Sequence, residues 1–283
     1  MDLETLRETP PWDWPKGTGR MLGEVLRDRG ADGADRLLAA ELAGDFTVID
    51  DTLADLLLSI LRSGDEAERL RGRAAISLGP ALEYADTEGF EDPDEMPISE
   101  RTFREVRESL RRLFRDADVP GEVRRRILEA SVRAPEEWHR DAIRAAYASG
   151  DQAWKLTAVF CMRFVRGFER EIVAALESDN PGILNEAVCA AGVWSVEAAW
   201  PHVVALVTAE ETDKLLRLAA IDAVAEIGPE EAGEVLGDLL DSTDEDIVEA
   251  VHEALAMAEG SSEEDEDEEE DEARPQSGRG EGP

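Results

Sequence analysis

Lysine is nearly missing from this chain: Lys16, Lys155 and Lys214 are the only three in 283 residues. Cysteine occurs twice, histidine three times and tyrosine twice, and aromatic residues make up only 5%. Two cysteines cannot frame a disulfide-stapled fold, so Cys161 and Cys189 read as buried free thiols. His139, His202 and His252 stand at spacings that supply no set of zinc ligands, and no metal is expected. Gly17-Thr18-Gly19 is not followed by the Gly-Lys-Ser/Thr of a phosphate loop. No nucleophile, base and acid are brought together by spacing, so no catalytic residue and no cofactor is expected. No apolar run approaches the ~20 residues of a membrane span. Met1 to Thr9 holds acids and no apolar core, so no secretory signal is expected. The chain reads as soluble and cytoplasmic.

What is abundant is carboxylate. The formal net charge is −37, from 67 acids and 30 bases. The balance is uneven. Residues 1–100 carry 24 acids against 10 bases, and residues 171–260 carry 21 acids against Lys214 and Arg217 alone. Residues 101–170 reverse the sign, with 16 bases against 11 acids. Such acidity argues against a general polyanion binder, because phosphate contacts need a basic surface. Poverty in lysine fits either a high-salt cytoplasm, where dense carboxylates keep a protein solvated, or a GC-rich genome that replaces Lys by Arg.

Polar turns recur at Asp32, Asp65, Asp118, Asp151, Asn180, Glu211 and Asp244, mostly 29–33 residues apart. Several follow an apolar pair, such as Ile60-Leu61, Leu206-Val207 and Leu239-Leu240. A helical hairpin of that length cannot bury its apolar face alone and must stack on its neighbours. The expected fold is all-α, a right-handed α-solenoid of about seven helical hairpins over residues 17–260. Residues 1–16 are expected to be a capping segment, non-helical from Pro10 to Pro15, with Trp12 and Trp14 among its three prolines covering the open end of the stack. An acidic insertion over about 83–99, with Gly89, Pro93 and Pro97, accounts for the one long spacing and reads as a surface loop. Ten consecutive acids, Glu263 to Glu272, head a tail over 261–283 that is expected to be disordered.

These features together resemble HEAT repeats, and in particular the HEAT-like repeats grouped with phycobilisome lyases. The sharpest stretches are Leu215 to Gly228 and Arg73 to Gly79. The resemblance implies a ladder between units, with an acid in the turn and an Arg six residues on. Asp65 with Arg71, Asp118 with Arg124 and Glu211 with Arg217 keep that spacing. HEAT-like di-iron hydroxylases use several facing His-Glu dyads; His252-Glu253 is the one dyad here, a surface histidine in the simpler reading.

The basic quarter is the candidate site. Arg104, Arg111, Arg125, Arg126, Arg133 and Arg140 are singled out from it as partner-binding residues. The planar guanidinium suits bidentate contacts to carboxylate. The alternative is a salt-bridged surface shared with Glu105, Glu108, Glu122, Glu129 and Glu137. The expected function is a non-catalytic protein–protein interaction scaffold, binding a protein partner with an acidic segment on its concave face. The chain's own acidic tail is a candidate intramolecular competitor. The alternatives are a bilin-lyase-like or other HEAT-type accessory enzyme, or a nucleic-acid-binding HEAT-like protein, against which the net charge argues.

Overall fold

The computed structural model describes residues 2–92 and 95–272, with 261–272 described by backbone alone. All regular structure among them is helical, with no strand. The chain forms two compact units, one ending at Val165 and one beginning at Arg166.

The first unit opens with α1 (Leu3–Glu8), whose Leu6 is fully buried. A 3₁₀ turn over Pro11–Asp13 follows, where a non-helical segment was expected. Proline suits it because its fixed φ matches the first turn. The Trp14 indole Nε1–H is shared between the Leu6 and Thr9 carbonyls, at 3.0 and 2.9 Å, and its ring packs on the core. Trp12 is 78% exposed.

Four hairpins then follow: α2 (Thr18–Arg27) with α3 (Gly33–Leu42), α4 (Asp51–Arg62) with α5 (Glu68–Glu88), α6 (Glu100–Arg115) with α7 (Gly121–Ser131), and α8 (Glu137–Ala148) with α9 (Gln152–Met162). The helix α4 shows the local logic. Asp50 accepts from the Leu53 amide at 2.8 Å and satisfies a free donor of the first turn. Leu53, Leu57 and Leu61, with Ala54 and Leu58, then lie on one buried stripe. Each buried leucine contributes about 1.5–3 kcal/mol. Second helices stack in order, α3 on α5, α5 on α7 and α7 on α9, while α2 packs on α4 and α4 on α6. Small residues set how close α7 comes to α5: a Cβ at Gly79 would meet Arg133 Cδ at 2.7 Å.

The second unit repeats the plan with α10 (Glu169–Ala175) and α11 (Pro181–Val193), α12 (Trp200–Thr208) and α13 (Lys214–Ile227), and α14 (Pro229–Leu236) and α15 (Glu245–Glu272). Its second helices stack as α11 on α13 and α13 on α15. Within each unit the hairpins stack on their sequence neighbours, four in the first and three in the second, which is the expected all-α repeat order.

Several boundaries differ from expectation. Helix α5 runs to Glu88, through the exposed Pro80 and into the stretch read as a loop, because Ala81, Leu82 and Ala85 continue its buried stripe. The backbone of α15 is helical to Glu272, past the Ser261 where disorder was expected. Glutamate is a good helix former, and no proline interrupts the run. The rest of the expected tail, 273–283, lies outside the described residues. Asp32, Asp151 and Asn180 do cap second helices, at 2.7–3.3 Å to amides two or three residues on. In the sixth hairpin Asp213, not Glu211, has that role.

The inter-unit ladder also takes another form. Arg71 Nε donates to the Leu61 carbonyl at 2.9 Å, at the end of the first helix of its own hairpin. Arg36 does the same to Leu26 at 3.0 Å, and Arg217 to Ala209. A guanidinium there satisfies a carbonyl that has no partner within its own helix. The ties between hairpins come one repeat further along. Arg36 grips both Glu66 oxygens at 2.7 and 2.9 Å, Arg125 reaches Thr157 at 2.9 Å, and Lys214 meets Asp244 at 2.8 Å.

Neither cysteine forms a disulfide; Cys161 is buried and Cys189 half-buried. No helix among the described residues is long and apolar enough to cross a membrane.

Candidate anion-binding cleft

The arginines of α6 are presented by a helix with two unlike faces. Phe103, Val106 and Leu110, with Thr102 and Ser109, are buried at spacings of three and four. Arg101, Arg104, Glu108 and Arg112 lie on the solvent side. The start of α6 is fixed to α4: the Ser99 amide donates to Asp51 Oδ1 at 2.7 Å. Burial works to raise the Asp51 carboxyl. The hydrogen bonds from Ser99 and Thr102, with Arg101 nearby, outweigh it and hold Asp51 below the usual carboxylate range.

Between the end of α4 and this face lies an open cleft of about 910 Å³. Its basic groups are Arg62, Arg101, Arg104 and Arg112, and its acids are Glu100, Glu105 and Glu108. Arg62 pairs with Glu105 at 3.1 Å and donates to the Ser109 hydroxyl. Arg104 pairs with Glu100 at 2.5 Å while staying 65% exposed. Among the described residues, Arg101, Arg112 and Glu108 enter no ion pair. Side chains this open are held weakly, since an exposed pair contributes about 0–1 kcal/mol. A ligand carboxylate can therefore compete for the guanidinium groups.

The six arginines singled out in the sequence fall in different places. Arg104 lines the cleft. Arg111 leans toward Glu136 at 3.9 Å, beside Arg107 at 3.5 Å from the same carboxylate. Arg125 is 7% exposed and turned inward, with Nη1 on Glu129 and on Thr157 of α9, both at 2.9 Å. Arg126 bridges Glu122 and Glu129 at 3.2 and 2.7 Å. Arg133 pairs with Glu83 and lies over the Phe160 and Phe164 rings, 5.6 and 5.4 Å from their centroids. Arg140 is exposed on α8. The cleft thus gathers one of the six, with Arg101 and Arg112 from the same helix. Arg62 was missed because it stands 43 residues before Glu105. The stacking of first helices on one another was the available signal for it.

His139 is an interior histidine. It is fully buried, and its Nδ1 accepts from the Glu136 amide at 2.8 Å while Nε2 lies 3.0 Å from Ser131 Oγ. Burial pushes its pKa down to about 4. His252 and Glu253 are exposed on α15. Among the described residues, no three His, Cys, Asp or Glu side chains converge as metal ligands.

No protein-family model matches the chain, and no curated protein is similar to it in sequence. Solved structures do share its helical plan. Human deoxyhypusine hydroxylase, in complex with glycerol, is 18% identical over 91% of this chain and 88% of its own, with a TM-score of 0.40. The Escherichia coli protein YibA is 14% identical over 88% of this chain and 82% of its own, at 0.48. An engineered protein is 20% identical over 87% of this chain and 98% of its own, at 0.35. At such identities the likeness concerns the fold and assigns no activity. It does correct one expectation. Deoxyhypusine hydroxylase is an enzyme, so a missing reaction motif does not make this architecture non-catalytic, and the reading of the chain as a non-catalytic scaffold is withdrawn.

Proposed function

We propose that the chain is a HEAT-type accessory enzyme, of the kind its resemblance to phycobilisome-lyase repeats suggests, which seats a carboxylate-bearing substrate segment in the α6 cleft. One observation carries the reading: four arginines, two of them in no ion pair, line one cleft in a chain of net charge −37. In so acidic a protein, an accessible cluster of guanidinium groups gives an anionic ligand a defined place to bind. Arg101, Arg104 and Arg112 would hold the ligand through charge-assisted hydrogen bonds. Holding a substrate in one orientation is itself a catalytic contribution, because it removes the entropic cost of encounter. Glu108, the cleft acid in no ion pair, is the group available to take a proton from a bound substrate.

The test is a titration of the full chain with a fluorescent acidic peptide at low ionic strength, beside duplex DNA. Peptide binding that fades with salt and is lost in the triple variant Arg101→Gln, Arg104→Gln, Arg112→Gln is expected. Failure to bind the peptide, or tighter binding of the duplex, defeats the reading.

A further inference from the structure

The order of charges along the cleft narrows the ligand further, taking the reading above as its premise. Arg101 and Arg112 are eleven residues apart on α6. Eleven residues are three helical turns to within about 20°, so the two share a face, about 16 Å apart along the axis. Both are exposed, and among the described residues neither enters an ion pair. Between them the charge reverses. Glu105 is engaged by Arg62, and Glu108 is exposed without an ion-pair partner. Arg104, the remaining arginine of this face, is engaged by Glu100. Read from the helix start, the cleft offers Arg101 near the Asp51 carboxylate, a neutralised middle, then Glu108 and Arg112, neither of them in an ion pair among the described residues.

We infer that the substrate is a segment with two anionic groups set about 16 Å apart and an uncharged or cationic group between them. A continuous polyanion fits this cleft poorly, because it would place a charge against the unpaired Glu108. Repulsion between like charges held this close offsets what the end arginines contribute. An extended peptide rises about 3.3 Å per residue, so acids five positions apart span the two guanidinium groups. Acids next to each other reach only one.

The experiment titrates the full chain with three labelled peptides of equal length. The first has glutamate at each end and lysine near the middle. The second has the same composition with the glutamates adjacent. The third is all glutamate. The first is expected to bind about tenfold more tightly than the second, the loss of one charge-assisted contact. It should also outbind the third, despite carrying less negative charge. Arg112→Gln should erase the preference of the first over the second. Glu108→Gln should strengthen binding of the all-glutamate peptide most. Both positions are exposed, so the variants fold. Tightest binding of the all-glutamate peptide to the unaltered chain, or equal binding of the first two, overturns the inference while leaving an anion-seating cleft intact. If no peptide binds at low salt, the seating of an anionic substrate fails as well.

Discussion

Helices α6 and α7 are neighbours in one hairpin and share the same wealth of arginine, yet they use it in opposite ways. On α7, Arg125 is buried, and with Arg126 it is locked by Glu122 and Glu129, while Arg125 extends the lock to Thr157 of the next hairpin. On α6, Arg101, Arg104 and Arg112 stand in solvent with one exposed pair among them. The difference follows from stacking. α7 is sandwiched between α5 and α9, so its arginines face other helices. Among the described residues, Arg62 is the side chain outside α6 that lines its cleft. Basic residues crowded in a sequence are therefore one population by composition and two by role: cross-braces where helices stack, and accessible cations where a face is open.

The strongest challenge to this division is Arg125→Ala. It takes one guanidinium from the carboxylate of Glu129, 8% exposed, which keeps Arg126 and the hydroxyl of fully buried Thr157 as its partners. Removing one partner of a buried pair should cost about 3 kcal/mol, read as a lower urea midpoint of the full chain. A change below about 0.5 kcal/mol would put Arg125 with the α6 arginines.

Acid provides the second test. His139 braces α8 against Ser131 at the end of α7, and its folded pKa of about 4 lies below its unfolded value of about 6.5. A depressed histidine contributes stability that is complete above the unfolded pKa and is lost as pH falls towards the folded one. About 3 kcal/mol should disappear between pH 6.5 and 4, in a titration of unfolding free energy. His139→Gln should flatten that slope, and an unaltered slope would show that other groups produce it.

Gly79→Ala comes next. The added methyl drives into Arg133 Cδ on the α5–α7 seam, and a loss of about 1–2 kcal/mol is expected in thermal unfolding. A neutral result would show that Arg133 swings aside freely. The smallest effect on stability belongs to Arg112→Gln, within about 0.5 kcal/mol in the same melt, although this variant should lose the preference for separated acids.

Much of this was legible beforehand, and the exceptions have physical causes. The period of about thirty residues announced seven hairpins because stacking demands it of short helices. Asp32, Asp151 and Asn180 were readable as turns because a side-chain acceptor before a helix has few other uses. The ends of α5 and α15 were not. A proline and a gap in the repeat suggested a break after Leu82, but Ala85 was small enough to extend the buried stripe. Arg36 gave no sign of its role, because its partners are a carbonyl ten residues back and a carboxylate thirty residues on. The cleft was half visible: three of its arginines share α6, while Arg62 enters only through three-dimensional packing. His139 looked like any helical histidine because its hydrogen bond to Ser131 crosses a turn.

The ties placed one repeat apart have a further consequence, which appears when the chain is made rather than when it is finished. A ribosome adds about 5–20 residues per second. When Arg36 emerges, Glu66 does not yet exist, and roughly two to six seconds pass before the carboxylate arrives. Arg125 waits as long for Thr157, and Lys214 for Asp244. The first, third and sixth hairpins thus leave the exit tunnel with a tie still unmade, and the next hairpin to be synthesised completes it. Maturation of each unit should therefore trail translation by about one repeat, advancing from the amino end.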